Sequence, residues 1–393
     1  MPPIPPATSQ APAMENVFIL PELILNIGKF LSRHDLTVCA RVSYLFNTTL
    51  SPLLFQDIHM EVDVRLPRSL RTFPRERFDT FCKHAADVHH LVLAQRLYRG
   101  FFHSGCCFRQ LKTLKIGRES HIWEADPFVD DDAGMVPPEE DAALLGRMIS
   151  AEMCPTLKEL SLSELRPVPL HPFWQSLQNS KTIRTFKWLS GPTELRCSYP
   201  RWAGEQCGNY WLSLPRSIPR DKFLAGFRFT NLHHVQLNEL VRLTPEEQLR
   251  FLCQCPKVRT VTWHASLCKY PSEKAKALFQ TTAWPHVHTL DIEMRELGDE
   301  DLKLILDRNG RTGTEGCLQR LTIWLDVAAS KAFDSLRRHF GSLRSINLNQ
   351  GLTSAMAQEI MSSCPELESI TGKYILATDI LTHTVERSMP GSV

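Results

Sequence analysis

Ten times along the chain an apolar residue is followed, three and five positions later, by two more. Leu111/Leu114/Ile116, Leu157/Leu160/Leu162, Val287/Leu290/Ile292 and Leu343/Ile346/Leu348 are the clearest. The others are Val88/Leu91/Leu93, Ile183/Phe186/Trp188, Leu232/Val235/Leu237, Val258/Val261/Trp263, Leu318/Leu321/Ile323 and the weaker Leu367/Ile370/Gly372. The last two positions alternate with polar ones, which sends both to one side of a short strand. A single such strand cannot bury its own apolar side, so the phrases predict units that stack as a parallel sheet over a shared core.

From one central residue to the next the step is 23 (Leu91 to Leu114), 26 (Leu160 to Phe186), 26 (Val235 to Val261), then 29, 31, 25 and 24 as far as Ile370. These steps resemble those of leucine-rich repeats, whose period is about 20–29 residues. Two are longer, 46 from Leu114 to Leu160 and 49 from Phe186 to Val235. Each implies an inserted loop or one unrecognised unit, placed at 118–146 and 191–231. Between the phrases lie helix signals: Thr244-Pro-Glu-Glu247 opening a run to Cys255, Pro271-Ser-Glu-Lys274 opening one to about Thr282, and Gly298-Asp-Glu-Asp301 leading into Leu302, Ile305 and Leu306. The fold class expected is α/β, an irregular solenoid with a curved parallel sheet and outer helices over 88–373.

The first sixty residues follow another pattern. After a Pro-rich leader at 1–13, expected to be disordered, Pro21 stands where a first-turn proline belongs, and Leu20, Leu23, Ile24, Ile27, Phe30 and Leu31 space an apolar face. A second run opens at the Ser32-Arg-His-Asp35 cap and carries Leu36, Val38, Cys39, Val42, Leu45 and Phe46. A third short piece follows Pro52, with Leu53, Leu54, Phe55 and Ile58. So small a unit with so much aliphatic surface calls for a partner. A cap over the first repeat would account for one apolar face but not two.

The stretch Leu20-Pro21-Glu-Leu23-Ile24-Leu-Asn-Ile27-Gly-Lys-Phe30-Leu31-Ser-Arg-His-Asp35-Leu36-Thr-Val38, with Val42, Phe46 and Pro52-Leu53-Leu54-Phe55, resembles an F-box over residues 14–60. Joined to the repeats, it makes the chain similar to fungal-type F-box/leucine-rich-repeat proteins. That resemblance implies a three-helix F-box and a substrate receptor of a Skp–cullin–F-box ubiquitin ligase. The F-box would grip a Skp-type linker subunit, and through it a cullin, while the repeats hold an unknown protein substrate. Carried over by position, linker contacts fall on Leu20, Pro21, Leu23, Ile24, Ile27, Leu31, Leu36, Val38, Val42, Phe46 and Phe55. Many members have tryptophan where this chain has Phe46 and Phe55; another aromatic retains most of the buried area. The competing expectation is a repeat scaffold with an N-terminal helical cap, outside any ligase. Residues 61–87 would be linker or cap helices and 374–393 a C-terminal helix or tail.

Composition narrows the function further. The 393 residues carry a net charge of +2, which gives no global drive toward nucleic acid or membrane. Nowhere do eighteen apolar residues run together, and the start lacks the layout of a secretion signal, so cytoplasm or nucleus is expected. The twelve cysteines are then expected as reduced thiols; Cys154-Pro155, Cys255-Pro256 and Cys364-Pro365 precede strands, where small apolar side chains are buried. Neither Cys106-Cys107 nor Cys253-Gln-Cys255 has a companion pair at ligand spacing, and His89-His90, His233-His234 and His286-Val-His288 sit at corresponding places in strands, so no metal is expected. No phosphate loop, nucleophile elbow or zinc-protease helix occurs, hence no catalytic residue and no cofactor.

Two stretches outside the repeats attract attention. Residues 124–141 hold eight carboxylates, with no Lys or Arg between Arg118 and Arg147; self-repulsion predicts a solvated loop, with recruitment of a basic partner as the functional alternative. The spacing does not follow the ligand ladder of a calcium loop. The other holds Arg196, Tyr199, Arg201, Trp202, Tyr210 and Trp211, the mixture favoured at interface centres and so the candidate substrate contacts. The alternative is a helix packing its tryptophans on the repeats.

Overall fold

The computed structural model describes residues 20–60, 81–94, 106–117, 138–163, 171–189, 224, 226–238, 243–281, 283–312, 315–324, 330–348 and 352–372. Among the described residues three helices come first: α1 (Pro21–Gly28), α2 (Arg33–Ala40) and α3 (Tyr44–Phe55). The repeats follow as β1 (Asp57–Met60), β2 (His90–Ala94), β3 (Thr113–Gly117), α4 (Pro138–Met148), β4 (Glu159–Ser163), α5 (His171–Asn179), β5 (Thr185–Leu189) and β6 (His234–Asn238). They continue with α6 (Pro245–Cys253), β7 (Thr260–Lys269), α7 (Ser272–Thr281), β8 (Thr289–Arg295), α8 (Asp299–Arg308) and a short ribbon, β9 (Arg311–Thr312) with β10 (Glu315–Gly316). Last come β11 (Arg320–Ile323), α9 (Ser330–Arg337), β12 (Ser345–Leu348), α10 (Ser354–Ser363) and β13 (Ser369–Thr371).

Eleven strands form one sheet in sequence order, each neighbouring pair parallel, and β9 and β10 form the separate antiparallel ribbon. This is an α/β arrangement consistent with a leucine-rich-repeat-like solenoid. Every phrase supplies a strand, and the register aligns their central residues in one row: Leu91 opposite Leu114, Leu114 opposite Leu160, Leu160 opposite Phe186, and so on to Ile346 opposite Ile370. Apart from Ile370 on the last strand, which is half-buried, the row is fully buried, and the strands and helices share one core.

Three boundaries differ from the sequence expectation. The sheet begins at β1, whose Ile58 pairs with Leu91. Phe55-Gln-Asp-Ile58-His-Met60 is itself a copy of the phrase, masked in the sequence because its first residue ends a helix. The proposed insertion 118–146 is too long, since α4 occupies 138–148 and buries Leu144, Leu145 and Met148. Glu139, Glu140 and Asp141, read as part of a solvated loop, therefore open a helix. Likewise 191–231 overruns into the next unit, where Phe229 is buried among Trp174 and Phe251. Direct pairing of β3 with β4 and of β5 with β6 leaves no place for an unrecognised strand, so the two long steps are insertions. The leader, 61–80 and 373–393 lie outside the described residues.

The helix starts follow the cap signals. Thr244 and Glu247 exchange hydrogen bonds, Glu247 N donating to Thr244 Oγ1 at 3.2 Å and Thr244 N to Glu247 Oε2 at 2.8 Å. Asp299 of α8 accepts from the backbone N–H of Lys331 and Ala332 at 2.6 and 2.8 Å, so one unit's helix satisfies the open end of the next. The step of 31 residues before β11 is explained by the ribbon, which Gly310 opens at φ +63°; a Cβ there would lie 2.9 Å from Val287 O.

A fourth buried position recurs three residues before seven of the phrases: Phe108, Cys154, Phe229, Cys255, Trp284, Phe340 and Cys364. Burial pushes the Cys154 and Cys253 thiols up to about 12, and Cys255 higher than its ordinary value, so these stay protonated and serve as packing groups. The expectation of reduced thiols throughout fails at Cys82 and Cys106, which form a disulfide. Stacking of the first units brings their Cα atoms to 5.6 Å, a proximity that no Cys-x-x-Cys spacing announces.

Leu290→Ala should lower unfolding free energy by about 2–5 kcal/mol, the cost of a buried leucine, read as a shift of the urea midpoint. Thr322→Ala, on the open side of the sheet, should stay within about 0.5 kcal/mol.

Candidate functional site

The head has a finished interior. Ile24, Leu36, Ala40 and Leu50 form a cluster of their own, closed by Leu31, Cys39, Leu45, Phe46, Leu53 and Leu54, and separate from the core of the repeats. Gly28 makes this possible, because a Cβ at that position would come within 2.6 Å of Leu50 Cδ2 and 2.7 Å of Leu53 Cδ1. Ser32 caps α2 by accepting from Asp35 N at 3.2 Å, and Ser43 caps α3 by accepting from Phe46 N at 3.2 Å. That second cap splits the run expected from Leu36 to Phe46, and α3 begins at Tyr44 rather than after Pro52, which lies inside it.

The exterior of the head is apolar as well. Ile24 and Gly28, four apart, face inward; Leu23 and Ile27, one step round the same helix, face water. With them stand Leu20, Phe30 at 90% exposure, Val38, Val42 at 69% and Tyr44 at 85%. All but one of the large exposed apolar side chains among the described residues are in this head; the exception is Trp324. Such surface is what a partner covers.

The residues carried over from the F-box resemblance therefore fall into three places. Leu20, Pro21, Leu23, Ile27, Val38 and Val42 are exposed. Ile24 and Leu36 are buried within the head, with Leu31 and Phe46 half-buried around them. Phe55 packs on the repeat core, its ring stacked on His84 with centroids 4.1 Å apart; as the first apolar residue of β1's phrase it faces the sheet. Phe30 and Tyr44 were not among the expected contacts, although Phe30 continues the exposed line of Leu23 and Ile27.

The second surface is the open side of the sheet, built from strand residues between the buried ones. Lys187 Nζ meets Glu159 Oε1 at 2.7 Å across β4 and β5. His264 lies between Asp291 (Nε2 to Oδ1, 2.9 Å) and Glu293 (Nδ1 to Oε2, 3.9 Å), with Trp324 exposed on the same side. Charge, hydrogen-bonding groups and one ring suit the holding of a polypeptide. Among the described residues no group of three or more His, Cys, Asp or Glu could hold a metal ion, and no helix is long and apolar enough to cross a membrane. Arg196, Tyr199, Arg201, Trp202, Tyr210 and Trp211, and residues 124–137 of the acidic stretch, lie outside the described residues.

The histidine pairs occupy repeat positions, as their spacing suggests, but in a positive environment. Partial burial first, then Arg184, Arg259, His234 and Lys257, hold His233 below its ordinary value; His234 is lowered by burial, Arg259 and Lys187, and His288 by burial, Arg259, His234 and Arg320.

The chain matches no protein-family model and no curated protein. Among solved structures, the complex of Rad7 and Elc1 in yeast is similar at 14% identity and a TM-score of 0.40, over 90% of this chain and 87% of that one. A likeness of that size supports no inference about function.

The three histidines give a pH prediction. Their folded pKa values lie below those of the unfolded chain, so on acidification the unfolded chain takes up protons first and stability is lost as pH falls through about 6.5. Replacing His233, His234 and His288 together by Gln should reduce the drop in Tm between about pH 7.5 and 5.5; an unchanged drop would contradict this.

Proposed function

We propose that the chain is the substrate-recognition adaptor of a Skp–cullin–F-box type ubiquitin ligase. Its helical head docks on the Skp-type linker subunit, and through it a cullin, while its repeats hold a protein substrate. The observation that carries this reading is the doubled apolar surface of the head: one set of residues completes an interior, and another of similar size stays in water. Leu20, Pro21, Leu23, Ile27, Phe30, Val38, Val42 and Tyr44 are the contacts this assigns, with Leu31 and Phe46 reached at the edge. Ile24 and Leu36 support them from beneath.

In this role the adaptor needs no chemistry of its own. It raises the local concentration of substrate beside a charged conjugating enzyme, and tethering of this kind changes rates without new reactive groups. The buried, protonated cysteines fit that division of labour. The cytoplasm or nucleus is the setting this function calls for. The cap reading has one observation in its favour, the seating of Phe55 on the first repeat; it leaves Phe30 and Val42 unexplained.

Capture by the purified Skp-type linker tests the proposal. Ile27→Asp and Val42→Asp should each weaken capture at least about tenfold, since each forfeits an apolar contact of some 1.5–3 kcal/mol and buries a charge. Their helix content and Tm should remain those of the parent. Ile24→Asp should lose capture together with the folding of the head. Parental capture by both surface variants would overturn the assignment.

A further inference from the structure

The residue immediately before each strand marks a rung across the whole sheet. Its carbonyl accepts two N–H groups from the next unit: His89 O from Lys112 N and Thr113 N, Lys112 O from Lys158 N and Glu159 N, Lys158 O from Arg184 N and Thr185 N, and onward through His233 and Arg259, at 2.7–3.1 Å. The side chains of this rung consequently enter the sheet side by side, at the strand spacing of about 4.8 Å. From β3 to β7 they are Lys112, Lys158, Arg184, His233 and Arg259. The four lysines and arginines are exposed.

Like charges in adjacent register are destabilising unless a carboxylate stands between them. Lys187, Arg250, Lys331, Arg337 and Arg344 each have a carboxylate partner. On this same rung Arg344 lies within reach of Glu366 and Glu368, and Gln319 interrupts the charge. Among the described residues no carboxylate pairs with Lys112, Lys158, Arg184 or Arg259. Arg184 is nevertheless held in place, its Nη1 donating to Asn231 O and Oδ1 at 3.3 and 3.2 Å. Burial first, and after it the neighbouring Arg184, Arg259, Lys257 and Lys187, hold His233 and His234 below the ordinary histidine value.

We propose that the strand-entry rim from Lys112 to Arg259 is a docking strip for an extended acidic segment of a partner polypeptide. Its four inter-strand steps span roughly 19 Å, the reach of about six residues of extended chain. A nucleic acid fits less well. Strand binding without sequence preference relies on exposed rings for stacking, whereas the only large exposed aromatic described in the repeats, Trp324, lies beyond the strip on β11's end, and the chain's net charge is only +2. The strip names the substrate class of the receptor and rests on that reading for its biological setting, yet peptide binding is measured without the linker subunit, so either can fail alone.

The test is fluorescence anisotropy of the full chain with a labelled peptide carrying about six consecutive glutamates, at low ionic strength. Lys158→Glu/Arg184→Glu/Arg259→Glu should weaken binding at least about tenfold. Lys274→Glu/Lys276→Glu/Lys303→Glu, the same charge change on the helix layer, should leave it within about twofold. The neutral pair Lys158→Gln/Arg259→Gln, with an unchanged Tm, should fall between, which separates lost contact from misfolding. No binding by the parent, equal loss in the helix-layer variant, or tighter binding of a single-stranded RNA probe than of the peptide would overturn the proposal. Capture of the Skp-type linker by the rim variant should equal the parent's.

Discussion

A strand of four or five residues can neither bury its leucines nor satisfy its amides alone, and the rest of this molecule follows from that. Each unit places two apolar side chains on one side and leaves the other side polar, so it is stable only between neighbours in the same register. The carbonyl rung before the strands repeats the condition in the backbone, each unit bonding the next through two N–H groups. Because the need is local, the stack tolerates insertions of tens of residues between β3 and α4 and between β5 and β6 without losing register. It also leaves the two ends as special cases, and the helical head joins one of them through Phe55.

Much of this was legible in the sequence because period-two alternation at fixed offsets survives substitution: Phe186 and Trp188 fill the same places as Leu160 and Leu162. The capping residues at Thr244, Ser32 and Gly298 were legible for the same reason, since they act over three residues. Features that depend on distant segments were not. The Cys82–Cys106 bridge arises from stacking, the ribbon before β11 from a two-residue pairing, and the first strand was hidden because Phe55 serves both a helix and a sheet. The division of the head's aliphatic residues was beyond sequence too: Ile24 and Ile27 are equally apolar, and only the close approach of α3 over Gly28 decides which is inside.

The proposed function divides along the same lines. The repeats offer rigid positions for charges and hydrogen bonds, with a cationic rim at the strand entries and a polar sheet face beyond it. The head offers an exposed apolar face. One surface suits an obligate or long-lived neighbour and the other a selected, salt-sensitive one. A bridge between a constant subunit and a variable cargo requires that pairing, whereas a self-contained scaffold would have little use for Phe30 and Tyr44 in water.

The claim that the head is complete within and incomplete without is tested most directly by hydrogen–deuterium exchange of the intact chain, alone and with the Skp-type linker. Amides from Leu23 to Val42 should slow on addition of the linker while those of β4 to β12 keep their rates. Unchanged exchange throughout the head, with protection appearing only in the repeat strands, would contradict the account.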